Sequence, residues 1–139
     1  MKVINDEIIK KTEGKCDIIN LTDELEKFIG KNKAMNGLVT VFSVGSTGGI
    51  STVEYEPGLL KDIPKFFEKI IPSSVRYNHD DTWGDGNGHS HIRSFIVKTS
   101  LSIPVIKGEL TLGTWQQVVF VDFDNKPRTR RIILQYIGE

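Results

Sequence analysis

From His89 to Ile137 the sequence is a succession of strand-length apolar runs with very little between them: His89 to Lys98, Leu101 to Ile106, Glu109 to Leu112, Trp115 to Asp124 and Arg128 to Ile137. A parallel connection needs a crossover of about a dozen residues, whereas an antiparallel one needs only a tight turn. The breaks here, among them Lys107-Gly108 and Asn125-Lys126-Pro127, are turn-sized. The segment therefore predicts antiparallel hairpins in a meander.

The first half of the chain supplies the rest of the architecture. Val3 to Lys10 and Asp17 to Asn20 read as strands joined at Glu13-Gly14-Lys15. Thr22 is placed to cap a helix with Asp23 and Glu24 in its first turn, an apolar stripe of Leu25, Phe28 and Ile29, and an end at Asn36-Gly37. Leu38 to Val44 and Ile50 to Glu56 read as strands around a Gly45-Ser46-Thr47-Gly48-Gly49 turn, with Thr52, Glu54 and Glu56 on one face of the second. After Pro57-Gly58, the residues Leu59, Leu60, Ile63, Phe66, Phe67, Ile70 and Ile71 recur at helical spacing as far as Pro72. No repeat or linker divides the chain. The prediction is one domain, residues 1–139, with an α+β fold: a mainly antiparallel β-sheet or sandwich with two covering helices.

At 139 residues and 38% hydrophobic content the chain can bury a core. Its 18 basic and 18 acidic residues cancel, so no long-range field draws it to nucleic acid or an anionic membrane, and any anion must be captured locally. No stretch has the roughly 20 apolar residues of a transmembrane helix, and the N-terminus lacks a signal-like apolar run. These features predict a cytoplasmic protein with neither nucleic acid nor membrane as partner. Cys16, the single cysteine, reads as a small buried residue.

The chemistry-bearing residue types gather in Asn78 to His91, which holds all three histidines together with Asp80, Asp81 and Asp85. On a strand His89 and His91 share a face, where two imidazoles can hold a divalent metal, zinc or magnesium, with His79 and the aspartates completing it. Gly84, Gly86 and Gly88 allow the backbone to bend closely around a ligand. The competing reading is a solvated, turn-rich connection, since Gly, Asn and Asp are ordinary turn residues. Ser46 and Thr47 offer hydroxyls to a phosphate, and Glu54 a carboxylate suited to a metal ligand or general base if it faces the histidines. The competing reading is a flexible glycine turn with solvent-facing glutamates, and the Lys-Ser/Thr pair of a P-loop is absent. Trp115 and Gln116 offer stacking and an amide to a heterocycle, or else a core tryptophan. Arg128 and Arg130 share a strand face that can receive phosphate or pair with acids, but that reads first as solvated.

Taken in order, Gly45-Ser46-Thr47 leading to Glu54, Asp85-Gly86-Asn87-Gly88-His89-Ser90-His91, Ser102-Ile103-Pro104, Leu112-Gly113-Thr114-Trp115-Gln116-Gln117 and the terminal Gln135-Tyr136-Ile137-Gly138-Glu139 resemble the YjbQ family along nearly the whole chain. The resemblance implies a compact α+β subunit in a homotrimer, often metal-bound or anion-bound. Some members are described as secondary thiamine-phosphate synthases, joining a pyrimidine pyrophosphate to a thiazole phosphate with release of pyrophosphate. The family pattern carries Glu54, His89 and His91 over as catalytic residues, and Ser46, Thr47, Asp85, Asn87, Trp115 and Gln116 as substrate-binding ones. Many relatives have a histidine where this chain has Gly45, so either His79 substitutes for it or the activity has changed. Two functions follow as expectations: a metal-dependent enzyme acting on a phosphorylated small molecule, or a non-catalytic trimeric module that binds a metal or a phosphate metabolite.

Overall fold

The computed structural model describes residues Met1–Glu139. In chain order it contains β1 (Lys2–Thr12), β2 (Asp17–Asn20), α1 (Thr22–Lys31), β3 (Gly37–Val44), β4 (Gly48–Glu54), α2 (Pro57–Ile70), α3 (Asp80–Trp83), α4 (Gly88–Val97), β5 (Ser100–Ile106), β6 (Glu109–Leu110), β7 (Gln116–Asp122) and β8 (Arg128–Gly138). The strands form one sheet in the order β1-β8-β3-β5-β6 and a second in the order β2-β7-β4. Every pairing is antiparallel, but the expected meander does not form: only β5 and β6 pair as sequence neighbours, and the turn after β7 carries the chain into the other sheet. The fold is α+β.

Alternation places β8's Ile132, Leu134 and Tyr136 and β3's Val39 and Val41 on one buried face. Their core is completed by Leu25, Phe28 and Ile29 of α1 and by Val118 and Phe120 of β7. The intervening β7 residues Val119 and Val121 point the other way, into a second core with Cys16, Ile18 and Phe123, against which Leu60, Ile63 and Phe67 of α2 pack. Strand β7 is therefore apolar on both faces from Val118 to Val121, which is why those four residues read as an unbroken hydrophobic run.

Helix α2 matches its periodicity and is capped by Glu56, whose carboxylate accepts from the Gly58 and Leu59 amides. Glu56 thus leaves the strand face on which it was expected; β4 ends at Glu54. Thr22 does not cap α1. Its hydroxyl accepts from the Val118 amide, and the Thr22 amide is held by Asn20 Oδ1.

The largest correction is α4. The run predicted as a strand from His89 to Lys98 is helix as far as Val97, and gives the protein a third substantial helix where two were expected. Its amphipathicity is inverted: His89, Ser90, Arg93 and Ser94 are buried, whereas Ile92, Phe95 and Ile96 are exposed. The buried polar face is satisfied by hydrogen bonds, with Ser90 Oγ near Phe123 O, Ser94 Oγ donating to Gly48 O, and Arg93 donating to Ile71 O. A Cβ at Gly49 would sit 2.6 Å from Val97 Cγ1 and 2.9 Å from Lys98 O. The second glycine of the Gly48-Gly49 pair therefore admits α4 against β4 and is no flexible turn residue.

Candidate functional site

The histidine-rich segment folds into the single turn α3 and the entry to α4. His79 precedes α3 and accepts the Thr82 amide. Gly84, at φ 62°, and Gly86, at φ 67°, reverse the chain so that Asp85 returns over His79; both angles belong to the left-handed region open to glycine. One ligand atom each from His79, Asp80 and Asp85 lies within 4.8 Å of the others. His79 Nδ1 is 3.4 Å from Asp85 Oδ1, yet it is buried and makes no hydrogen bond. The carboxylates are fixed by backbone amides, Asp80 by Gly86 and Tyr77 and Asp85 by Asn87, with lone pairs to spare.

On a helix, residues two apart project about 200° from one another, so α4 sends His89 and His91 to opposite sides. This overturns the expected His89–His91 pair on one strand face. His91 packs on His79, their ring centroids 4.5 Å apart, and lines an open groove of about 460 Å³ shared with Gly45, Ser46 and Lys98. His79 therefore reaches His91, and His91 faces the groove on which Gly45 lies.

His89 faces a different cavity, also about 460 Å³, lined with Lys15, Cys16, Glu68, Ser73 and Arg93 among others. Only 5% of His89 is exposed. Its Nε2 is 3.2 Å from Ser90 Oγ and its Nδ1 has no partner. The neighbours settle the tautomer. Asn87 Nδ2 donates to Asp124, so Asn87 Oδ1 is an acceptor, taking the Asn125 amide. Ser90 Oγ has one proton, and it goes to Asn87 Oδ1 or Phe123 O. His89 Nε2 must then be the donor to Ser90, which leaves Nδ1 bare. Burial, reinforced by the nearby Arg93 guanidinium, lowers the His89 pKa, against weaker pulls from Glu68, the Gly86 backbone and Asp124.

Beneath both histidines runs a buried polar network. Asp122 and Asp124 are almost wholly enclosed. Asp122 takes a bidentate pair of bonds from Arg130 at 2.7 and 2.8 Å and one from the Thr12 hydroxyl. Asp124 accepts from Thr47 and Asn87 and pairs with Arg128. Burial pushes the Asp124 pKa upward, but hydrogen bonds from Asn87, Thr47 and Arg128 outweigh it and lower the value overall. Thr47 and Asn87, expected to hold substrate, are spent on this scaffold; so is Arg130, expected to be solvated.

Glu54, Trp115 and Gln116 lie at the other end of the small sheet. Glu54 pairs in register with Gln116, whereas Gly48, beside α4, pairs with Asp122. At about 3.3 Å per residue the length of β4 puts Glu54 about 20 Å from that end. Within one chain Glu54 cannot serve the histidines. Trp115 is exposed, not core, and Gln116 donates to Thr52 Oγ1. The sequence reading missed Glu68 and Arg93. Arg93 stands four residues after His89, a helical spacing that becomes a signal only once His89 to Lys98 is read as helix.

A family model described as UPF0047 protein YjbQ-like matches residues 6–139. A UPF0047 protein of Archaeoglobus fulgidus is 38% identical over 129 residues, spanning 93% of this chain and 98% of the relative. One from Methanothermobacter thermautotrophicus is 34% identical over 139 residues, spanning 100% and 95%. Among solved structures, a YbjQ-like protein of unknown function from Sulfolobus solfataricus matches with a TM-score of 0.92 at 28% identity, over 99% of each chain. A hypothetical protein from Aeropyrum pernix matches at 0.91 and 32%, over 98% of this chain and 99% of that one.

Proposed function

The chain belongs to the YjbQ-like UPF0047 family, and from that premise we propose that it is a divalent-metal-dependent enzyme acting on a phosphorylated small molecule. The observation that carries this reading is the convergence of His79, Asp80 and Asp85 within 4.8 Å around an imidazole nitrogen that has no hydrogen-bond partner. One imidazole with two carboxylates is a mixed nitrogen–oxygen donor set that suits zinc better than magnesium, which prefers oxygen alone. This set replaces the expected ligands His89 and His91.

The adjoining groove supplies the substrate's place. Ser46 and Lys98 line it with His91, offering a hydroxyl and a cation to phosphate oxygens. A bound ion would neutralise charge on a departing pyrophosphate. His91 supports His79 from behind and fixes the direction of its ring. Thiamine-phosphate formation, implied by the family resemblance, is the named instance of this chemistry. The test is an assay of pyrophosphate release from the pyrimidine pyrophosphate and thiazole phosphate. Turnover that disappears in chelator, returns with zinc and is lost in His79→Ala supports the reading; full turnover in chelator rejects it.

A non-catalytic trimeric binding module is favoured by a different observation: with Glu54 remote from the histidines, no carboxylate base serves them within one chain. Zinc and phosphate binding without turnover of any phosphorylated heterocycle supports that alternative. We infer further that copies of the chain assemble, as a homotrimer, through the exposed apolar face of Ile92, Phe95 and Ile96.

A further inference from the structure

We infer that the cavity on the His89 side of α4 binds a protonated, monoanionic phosphate group, free as dihydrogen phosphate or as a singly protonated monoester, without any metal. This is a second site, separate from the His79 cluster, and it does not rest on the metal reading. The argument begins with His89. A 95% buried imidazole with an unpartnered acceptor nitrogen costs stability unless something donates to it. Its occupant must therefore carry a proton.

The rest of the lining asks for acceptors. Arg93 is 2% exposed and spends Nε and Nη2 on Ile71 O and Glu68 Oε1. Its Nη1 remains unspent. Phe67 and Phe123 flank the guanidinium, with ring centroids 5.6 and 5.9 Å from Cζ, and hold it in place. Lys15 commits only its backbone amide, to Asp124 O, which leaves its ammonium as a donor, whereas Ser73 serves Glu68 with both its amide and its hydroxyl. Gly14, Lys15 and Cys16 all have positive φ, 72°, 56° and 66°. This costly path for two non-glycine residues carries Lys15 onto the cavity wall.

Charge completes the match. Lys15 and Arg93 against Glu68 leave one positive charge in the lining, which a monoanion balances. Dihydrogen phosphate, or a singly protonated monoester, is such a monoanion, with an O–H for His89 Nδ1 and further oxygens for Arg93 and Lys15. Sulfate has the oxygens but no proton, and two facing acceptors repel. The cavity volume of about 460 Å³ lies in the range of small-metabolite sites, with room for the organic part of a monoester.

Calorimetry in chelator, with inorganic phosphate, a simple alkyl phosphate and sulfate as probes, tests this. Phosphate and the alkyl phosphate bind at least about tenfold more tightly than sulfate, and ring-nitrogen NMR shows His89 as the Nε2–H tautomer with Nδ1 shifting on addition. Lys15→Ala, a surface change, weakens phosphate about tenfold. His89→Gln, whose amide can donate, reduces the preference over sulfate. Phosphate binding retained in His79→Ala separates this site from the metal cluster. Equal affinity for sulfate, or an unmoved Nδ1 signal at saturating phosphate, overturns the proposal.

Discussion

The ring of His91 lies 4.5 Å from that of His79, centroid to centroid, because α4 turns His91 away from its near neighbour His89. One helix thus divides the histidine cluster into an open groove at His79 and His91 and an enclosed cavity at His89. Each consequence can be measured.

Gly49→Ala tests whether α4 is where the structure puts it. The added methyl meets Val97 Cγ1 at 2.6 Å and Lys98 O at 2.9 Å, so overpacking costs roughly 1–3 kcal/mol. Urea unfolding reads the loss, and hydrogen exchange in Gly88–Val97 rises most. An unchanged midpoint would mean that α4 does not abut β4.

Asp122→Asn tests the buried network. Arg130 would keep its charge in a site where Asp122 is fully enclosed and Arg130 nearly so. Breaking one partner of such a pair costs roughly 3–5 kcal/mol. The same unfolding measurement checks it, and a loss under about 1 kcal/mol would show that the pair is solvated.

Glu68 makes stability depend on acid. Hydrogen bonds from Ser73, and then from Arg93, hold its pKa at about 2, against 4.5 for a free glutamate. A depressed carboxylate stabilises the fold above its unfolded pKa, and that contribution is lost as pH falls through the folded value. The Tm difference between wild type and Glu68→Gln is therefore largest above about pH 4.5 and vanishes near pH 2. A constant difference across that window would contradict the pairing.

Phe95→Asp addresses assembly. Phe95 is 83% exposed on α4's apolar side, so the charge leaves the subunit's own fold intact while desolvation opposes its burial between copies. Sedimentation velocity should show a trimeric wild type and a monomeric variant with unchanged circular dichroism. A monomeric wild type would remove the assembly reading.

The sequence displays most of the sheet and two of the helices because those elements obey the rule that apolar faces turn inward. Leu25, Phe28 and Ile29 recur at helical spacing and are buried; Ile132, Leu134 and Tyr136 alternate and are buried. Helix α4 breaks the rule. Its Ile92, Phe95 and Ile96 face outward and its Ser90, Arg93 and Ser94 inward, so its hydrophobic residues imitate a core strand. The same inversion hid half of the site. The clustering of histidines located the region, but which histidine faces which partner depends on 100° per residue in place of 180°. Arg130 escaped for a related reason: an arginine on an alternating strand looks solvated until its buried aspartate is known.

Zinc titration of the metal-free protein by calorimetry tests the central claim most directly. The account predicts one zinc bound per chain, at least about tenfold weaker in His79→Ala and in Asp85→Asn, and undiminished in His89→Ala. Binding that is lost with His89 and indifferent to His79 and Asp85 would contradict it.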